Sequence, residues 1–420
     1  MPSARSRRGA KAGDVAWSRN AFVEARAAYR HALDRLTMTP PLPERDTTEL
    51  ELLIATSQII AATKGYASPD RVEINARAEA LAAKTGNLGH LAEQIFGSWT
   101  AVVRAGNHPS AMALADRLLD VARRDGGAFT RGLASGAQSN TRFLIGDLLG
   151  ADEHFVSGEI FLSDRGLRRY SVAASTISYA VWIAWFTGRA DEARARMRRA
   201  LATIEEDAFA RALVHLFSSF HHVMVREPEQ AAIAAAQAIA TSAEHGFRYT
   251  GELAQIPHGW AQAQLGHPDE GASLIGEALA ANRVNGNLIA VPAFLTWLAE
   301  AQALSGALAE SLRTLDEALT INPPERFYRP ETIRVRGDIR RRQGEDEPAE
   351  ADFRNAIALA REMSAKASEL RAATCLARLW RDQGKRDEAR DLLAPVYGWF
   401  TEGFGTPDLE DAAALLAEMG

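Results

Sequence analysis

The chain has 420 residues, 47% hydrophobic and 24% charged, with a formal net charge of −6. That is ample apolar material for a globular protein, and the mild acidity argues against a general nucleic-acid binder, which would carry a basic footprint. Cys375 is the only cysteine, so neither an internal disulfide nor a thiolate zinc site can be built, and a cytoplasmic location is expected.

The N-terminus, Met1 to Lys11, carries Arg5, Arg7, Arg8 and Lys11 but no apolar segment. A disordered basic tail over 1–8 is expected there rather than a secretory signal. No apolar run reaches the ~18 residues of a membrane span, so no membrane partner is expected. From there one pattern recurs: a turn residue, a small residue five positions on, a larger apolar residue four further, and another small one three further. Its copies in chain order begin with Asn20, Ala25, Tyr29 and Ala32. A less legible pair follows between Leu36 and Thr100, its second helix running from about Pro69 to Lys84. Clear copies are Gly146–Ala151–Phe155–Gly158, Gly188–Ala193–Met197–Ala200, Gly266–Gly271–Ile275–Ala278, Gly306–Ser311–Leu315–Ala318 and Gly344–Ala349–Phe353–Ala356. Weaker ones start at Gly106, Arg226 and Gly384. The first small residue falls at 111, 151, 193, 231, 271, 311, 349 and 389, in steps of 38 to 42.

Residues at i, i+4 and i+7 share one helix face. Small side chains there let two helices approach closely, and the larger residue between them fills the groove beside its neighbour. The glycine supplies the left-handed conformation that ends a helix. Each unit therefore reads as helix, glycine turn, helix. One such pair cannot bury its own apolar face, so the pairs must stack. About ten pairs fill residues 9–405. After the break Gly403–Pro407, residues 406–420 form a capping helix from about Asp408 to Met419, whose Asp408, Glu410, Asp411 and Glu418 suit an exposed end.

This pattern resembles the tetratricopeptide repeat, whose second helix carries the same small, aromatic, small spacing. Gly13, Gly259 and Gly337 match the small residue midway along that family's first helix, and Pro323 its closing proline. The resemblance implies an all-α fold, a right-handed superhelical solenoid of about ten tetratricopeptide-like helix hairpins. The period near 40 departs from the family's ~34, and longer first helices would account for it. Armadillo and HEAT arrays share a period near 40 but lack this second-helix signature.

A narrower resemblance lies at the C-terminus. Ser368–Thr374, Leu376–Trp380, Gln383–Arg386 and Leu392–Phe404, the last ending in Trp399-Phe400-Thr401-Glu402-Gly403-Phe404, are similar to the C-termini of large bacterial signalling proteins. Those join a class III adenylate/guanylate cyclase domain, a STAND-type ATPase domain and a helical repeat region. Lys64–Pro69 and Gly246-Phe247 leading to Gly259-Trp260-Ala261 are also similar to that repeat region. The resemblance implies a signalling role beside a cyclase or ATPase. The chain has no G-x-x-x-x-G-K-[ST] loop and no strand-rich stretch to hold a cyclase's metal-binding aspartates. It reads as a truncated member, a separated subunit or a fragment, and no cofactor is expected.

Candidate chemistry is sparse. The ten histidines are scattered, and the adjacent His221 and His222 point about 100° apart on a helix, so they do not share a metal. Cys375 sits among small apolar residues as a packing thiol. Asp191-Glu192 and Asp387-Glu388 follow glycine turns, where helix starts favour negative charge. The first helices of tetratricopeptide arrays line a concave groove, and positions six and three residues before the turn face it. Here those positions hold Asn140 and Phe143, Trp182 and Trp185, Phe220 and Val223, and Trp260 and Ala263. Either they form an aromatic strip that anchors a partner, or they pack between repeats. The ninth repeat places Asp338 and Arg341 there, with Arg334 one turn earlier: a carboxylate- or phosphate-binding fork, or a salt-bridged face. The expected function is a protein-interaction or regulatory scaffold, not an enzyme, binding a peptide, a partner domain such as a cyclase or ATPase, or a small-molecule inducer. The alternative is a nucleotide cyclase, by family resemblance alone.

Overall fold

The computed structural model describes residues 11–419 other than 18, 20, 39, 41–42, 65–67, 164–166, 168–171 and 203–206. The tail expected at 1–8 and the turn residue Asn20 lie outside the described residues, as does part of Lys64–Pro69. Among the described residues there is no strand. The helices pair in sequence as ten hairpins. Hairpin 1 is α1 (11–17) and α2 (Phe22–Thr37); hairpin 2 is α3 (Pro43–Lys64) and α4 (Pro69–Thr85). Hairpin 3 is α5 (Leu88–Arg104) and α6 (His108–Asp125); hairpin 4 is α7 (Ala128–Ile145) and α8 (Leu148–Gly158), which runs into a short 3₁₀ turn, Glu159–Ser163. Hairpin 5 is α9 (Val172–Phe186) and α10 (Ala190–Ala202); hairpin 6 is α11 (Ala208–Met224) and α12 (Pro228–His245). Hairpin 7 is α13 (Arg248–Gln264) and α14 (Pro268–Val284); hairpin 8 is α15 (Val291–Leu304) and α16 (Leu308–Thr320). Hairpin 9 is α17 (Arg329–Arg342) and α18 (Asp346–Glu362); hairpin 10 is α19 (Lys366–Asp382) and α20 (Arg386–Tyr397). The last helix is α21 (Pro407–Met419).

The sequence pattern produces these hairpins directly. Gly188, at φ +84°, closes α9: its N–H donates to the Trp185 carbonyl, and the Arg189 N–H reaches back to the Ala184 carbonyl. This left-handed helix ending recurs within successive hairpins. In hairpin 7 the small positions meet face to face, and a Cβ on Gly259 would stand 2.7 Å from the Gly271 carbonyl oxygen. Gly337 and Gly13 are likewise pressed against the rings of Phe353 and Tyr29.

First helices form the inner layer. From α5 to α19 each odd-numbered helix packs on the next odd-numbered one as well as on its own hairpin partner. In α9, thirteen of fifteen residues are buried, whereas α10 buries only Ala193, Arg196, Met197 and Ala200. That contrast marks an inner helix covered all round and an outer one covered on one stripe.

The coil is tight. Hairpin 2 touches hairpin 7 through α3 and α13, and hairpin 5 touches hairpin 10 through α9 and α19, so the chain returns on itself every five hairpins. The expectation that longer first helices set the period holds only in part. α5, α7, α11, α13 and α19 have 17 or 18 residues, but α15 and α17 have 14. There the residues of links 285–290 and 321–328 keep the step. These two links add further contact between turns of the coil: Leu288 and Ile289 N–H donate to the Arg104 carbonyl at 2.7 and 3.1 Å, and Arg326 and Phe327 N–H donate to the Leu144 carbonyl at 2.8 and 3.2 Å.

Candidate functional site

The inner layer carries Asn140 and Phe143 on α7, Trp182 and Trp185 on α9, Phe220 on α11 and Trp260 on α13. None of them faces open solvent: the most exposed, Asn140 and Phe220, reach 5%. The reason is the coil. Ile289 and Phe327, carried by the two links, are themselves buried on the axis where an open groove was expected. Phe143 lies 4.8 Å from Phe327, Trp182 5.0 Å from Phe217, and Phe220 5.3 Å from Phe294, centroid to centroid. Tilted pairs at such distances are packed core contacts. Two small cavities remain, of about 50 and 30 Å³, sharing Arg104, Leu144, Tyr179, Leu213 and Phe217. They have room for a few waters, well below the volume a small-molecule ligand needs.

Nor do the charged positions of hairpin 9 form a free fork. Arg334 is buried and paired with Glu331 through Nη2 at 3.0 Å. Arg341 pairs with Asp382 of α19 at 2.5 Å, and Asp338 is half-buried nearby. Glu331 also accepts from Arg226 at 2.8 Å and faces Arg371 at 3.5 Å. Burial alone would push the Glu331 carboxyl up, but Arg334, Arg371 and Arg226 outweigh it and hold it well below the usual carboxylate range. Arg334 and Arg341 are therefore paired within the protein. Cys375 lies 3.6 Å from Arg334 Nη1, and burial pushes its thiol up, away from the reactive thiolate.

An open concavity lies elsewhere. A cleft of about 400 Å³ separates hairpin 2 from hairpin 7, lined by Lys64, Asp70, Arg248, Tyr249, Glu252 and Val284 among others. Lys64 pairs with Asp70 at 2.6 Å and Arg248 with Glu252 at 2.6 Å, so the walls carry both signs. Val284 is 87% exposed at the rim. Tyr249 lines both this cleft and the aromatic cavity behind it. Sequence reasoning missed the cleft because its two walls are some 180 positions apart and share no motif; only the return of the coil brings them together.

The C-terminal Trp399–Phe404 motif also has a physical role. Phe400 is buried, Glu402 accepts from the Asp191 N–H at 3.0 Å at the start of α10, and the Gly403 N–H donates to Asp191. The segment fastens hairpin 10 to hairpin 5, one turn below. Among the described residues no group of three His, Cys, Asp or Glu side chains could hold a metal, and no helix is long and apolar enough to cross a membrane.

A family model for the tetratricopeptide repeat matches residues 370–397, the bulk of hairpin 10. Hairpin 10 thus carries a tetratricopeptide repeat, and the hairpins before it share its helix–turn–helix form. No protein of curated function matches it in sequence. Among solved structures it is similar to the APC/C hetero-tetramer Cut9–Hcn1, with a TM-score of 0.52 and 13% identity over 97% of this chain and 74% of that one. It is also similar to a Rap protein complexed with competence and sporulation factor, with a TM-score of 0.51 and 13% identity over 78% of this chain and 97% of that one. At such identity the likeness is one of fold, an all-α helical solenoid.

Proposed function

We propose that the chain is a protein-interaction scaffold that seats a peptide or a segment of a partner domain in the cleft between hairpins 2 and 7. The observation that carries this reading is Tyr249, which lies on both the open cleft and the aromatic cavity. An extended segment would lie along the mixed-charge walls and direct an apolar side chain inward. Two proteins of similar fold were solved with partners, one with competence and sporulation factor and one as a hetero-tetramer, which is the behaviour a repeat scaffold supports. Asn140, Phe143, Trp182, Trp185, Phe220 and Trp260 belong to the binding face only in an opened coil. The C-terminal resemblance favours a cyclase- or ATPase-linked signalling system, with such a domain as partner; a small-molecule inducer would need the interior cavities to enlarge.

A photoreactive residue at Val284 tests the site, with one at Val156 on the outer face of α8 as control. Both positions are exposed, so neither change disturbs packing. Cross-linking in native cells should give a discrete adduct from Val284 and none from Val156, and Arg248→Glu should weaken it. Equal labelling at both positions, or none at Val284, would count against the cleft. Purified chain incubated with ATP and magnesium or manganese should form no cyclic nucleotide.

A further inference from the structure

In hairpins 3–5 and 7–10 the turn position holds glycine, at 106, 146, 188, 266, 306, 344 and 384, always with positive φ. Hairpin 6 holds Arg226 there, at φ +64°. An L-residue disfavours that conformation, and such outliers persist where surrounding structure enforces them. The turn itself imposes the angle, with the Glu227 N–H donating to the His222 carbonyl at 2.9 Å as in the sister turns, and an arginine in this place sends its side chain across the seam. Arg226 Nη2 lies 2.6 Å from Glu300 of α15 and 2.8 Å from Glu331 of α17, and the guanidinium sits over the Trp260 ring. Trp260 Nε1 in turn donates to Glu300 at 2.9 Å. From hairpin 10, Arg371 donates to the Met224 carbonyl at 2.5 Å, pairs with Asp408 of α21 at 2.7 Å and lies over the Trp185 ring. Arg334 completes the cluster. Three cations, Arg226, Arg334 and Arg371, thus face three anions, Glu300, Glu331 and Asp408.

We propose that these six charged side chains are a clasp that holds hairpin 6 to hairpins 8, 9 and 10, and that the superhelix opens and closes there. A seam built from ions, with Glu331, Arg334 and Arg371 buried and Arg226, Glu300 and Asp408 half-buried, differs from an apolar seam in its energetics. The closed state bears the desolvation of these charges, while the open state hydrates all six. The two states are therefore closer in free energy than an apolar interface would allow. Opening at the clasp uncovers Trp185, Trp260 and the aromatic cavity; that this admits a partner's side chain rests on the binding reading above.

Hydrogen exchange on the full chain tests the clasp. Arg226→Gly supplies the residue that the sister turns use, so the hairpin itself remains well formed. Exchange in α11, α13 and α15 should rise about tenfold, with α6 and α8 unchanged. Glu300→Gln keeps the shape and should give a smaller rise at the same helices, and the double variant should exchange no faster than Arg226→Gly alone, because both break one network. Unchanged or slower exchange in Arg226→Gly would overturn the proposal, since it would show an arginine merely tolerated in a glycine slot. Additive effects in the double variant would also overturn it. The Val284 cross-link reads the binding site separately: if exchange rises while the cross-link yield stays constant, the clasp stands and the link between cleft and interior fails.

Discussion

Gly259 shows how much a single hydrogen in place of a methyl group decides. Its Cα faces the Gly271 carbonyl, and an added Cβ would meet backbone that cannot turn aside. Gly259→Ala should force α13 and α14 apart and cost about 1–3 kcal/mol, read from urea denaturation. His221 is the residue that couples the fold to pH. Burial, with His222 and Arg194 adding to it, pushes its ring down to about 3. The folded chain therefore keeps it neutral, while the unfolded chain protonates it near pH 6.5. Below pH 6.5 the unfolded state binds more protons, so stability falls as pH drops from about 6.5 towards about 3. At pH 5 the loss from this group is about 2 kcal/mol relative to pH 7. His221→Leu should flatten denaturation midpoints across that range, although His154, His215 and His258, shifted the same way, leave a residual slope.

At the scale of elements, successive hairpins are bridged by ion pairs spaced at about the repeat step. Arg117 reaches Glu79, Arg199 reaches Glu159, Arg341 reaches Asp382 and Arg381 reaches Glu418, each from one hairpin to a neighbouring element. The forked, always-charged guanidinium suits such bridges, which gives the arginine-rich composition a structural use. Each exposed pair contributes little alone, on the order of 0–1 kcal/mol. The last helix acts differently. α21 buries Leu409, Ala412, Leu415 and Met419 in the same cluster as Phe353 and Leu393, and supplies Asp408 to Arg371. A chain ending at residue 405 should lose exchange protection in α19 and α20 and leave hairpins 3 and 4 unchanged; equal protection in both chains would show that α21 caps nothing. These elements were legible in sequence. The glycine turn and the small–large–small face are local signals three to five residues apart, enough to place helix after helix, including Pro69–Thr85 where the pattern is faint.

At the scale of the whole molecule the sequence was less informative. How far each hairpin rotates on the last depends on many side-chain contacts, none of which appears as a motif. Trp182 and Trp260 occupy the inner face in either an open or a closed coil; only the return every five hairpins turns that face into core. The same return creates the cleft at Tyr249, and the tight curvature of the inner layer brings Arg226 to Glu300 and Glu331, two and three hairpins and 74 and 105 positions away. Denaturant unfolding of Trp260→Ala tests the closed coil most directly. The closed coil predicts a loss of about 3–5 kcal/mol, as for a large ring removed from packed core. A variant as stable as the parent to within about 0.5 kcal/mol would mean that Trp260 faces an open groove, and would contradict the closed coil outright.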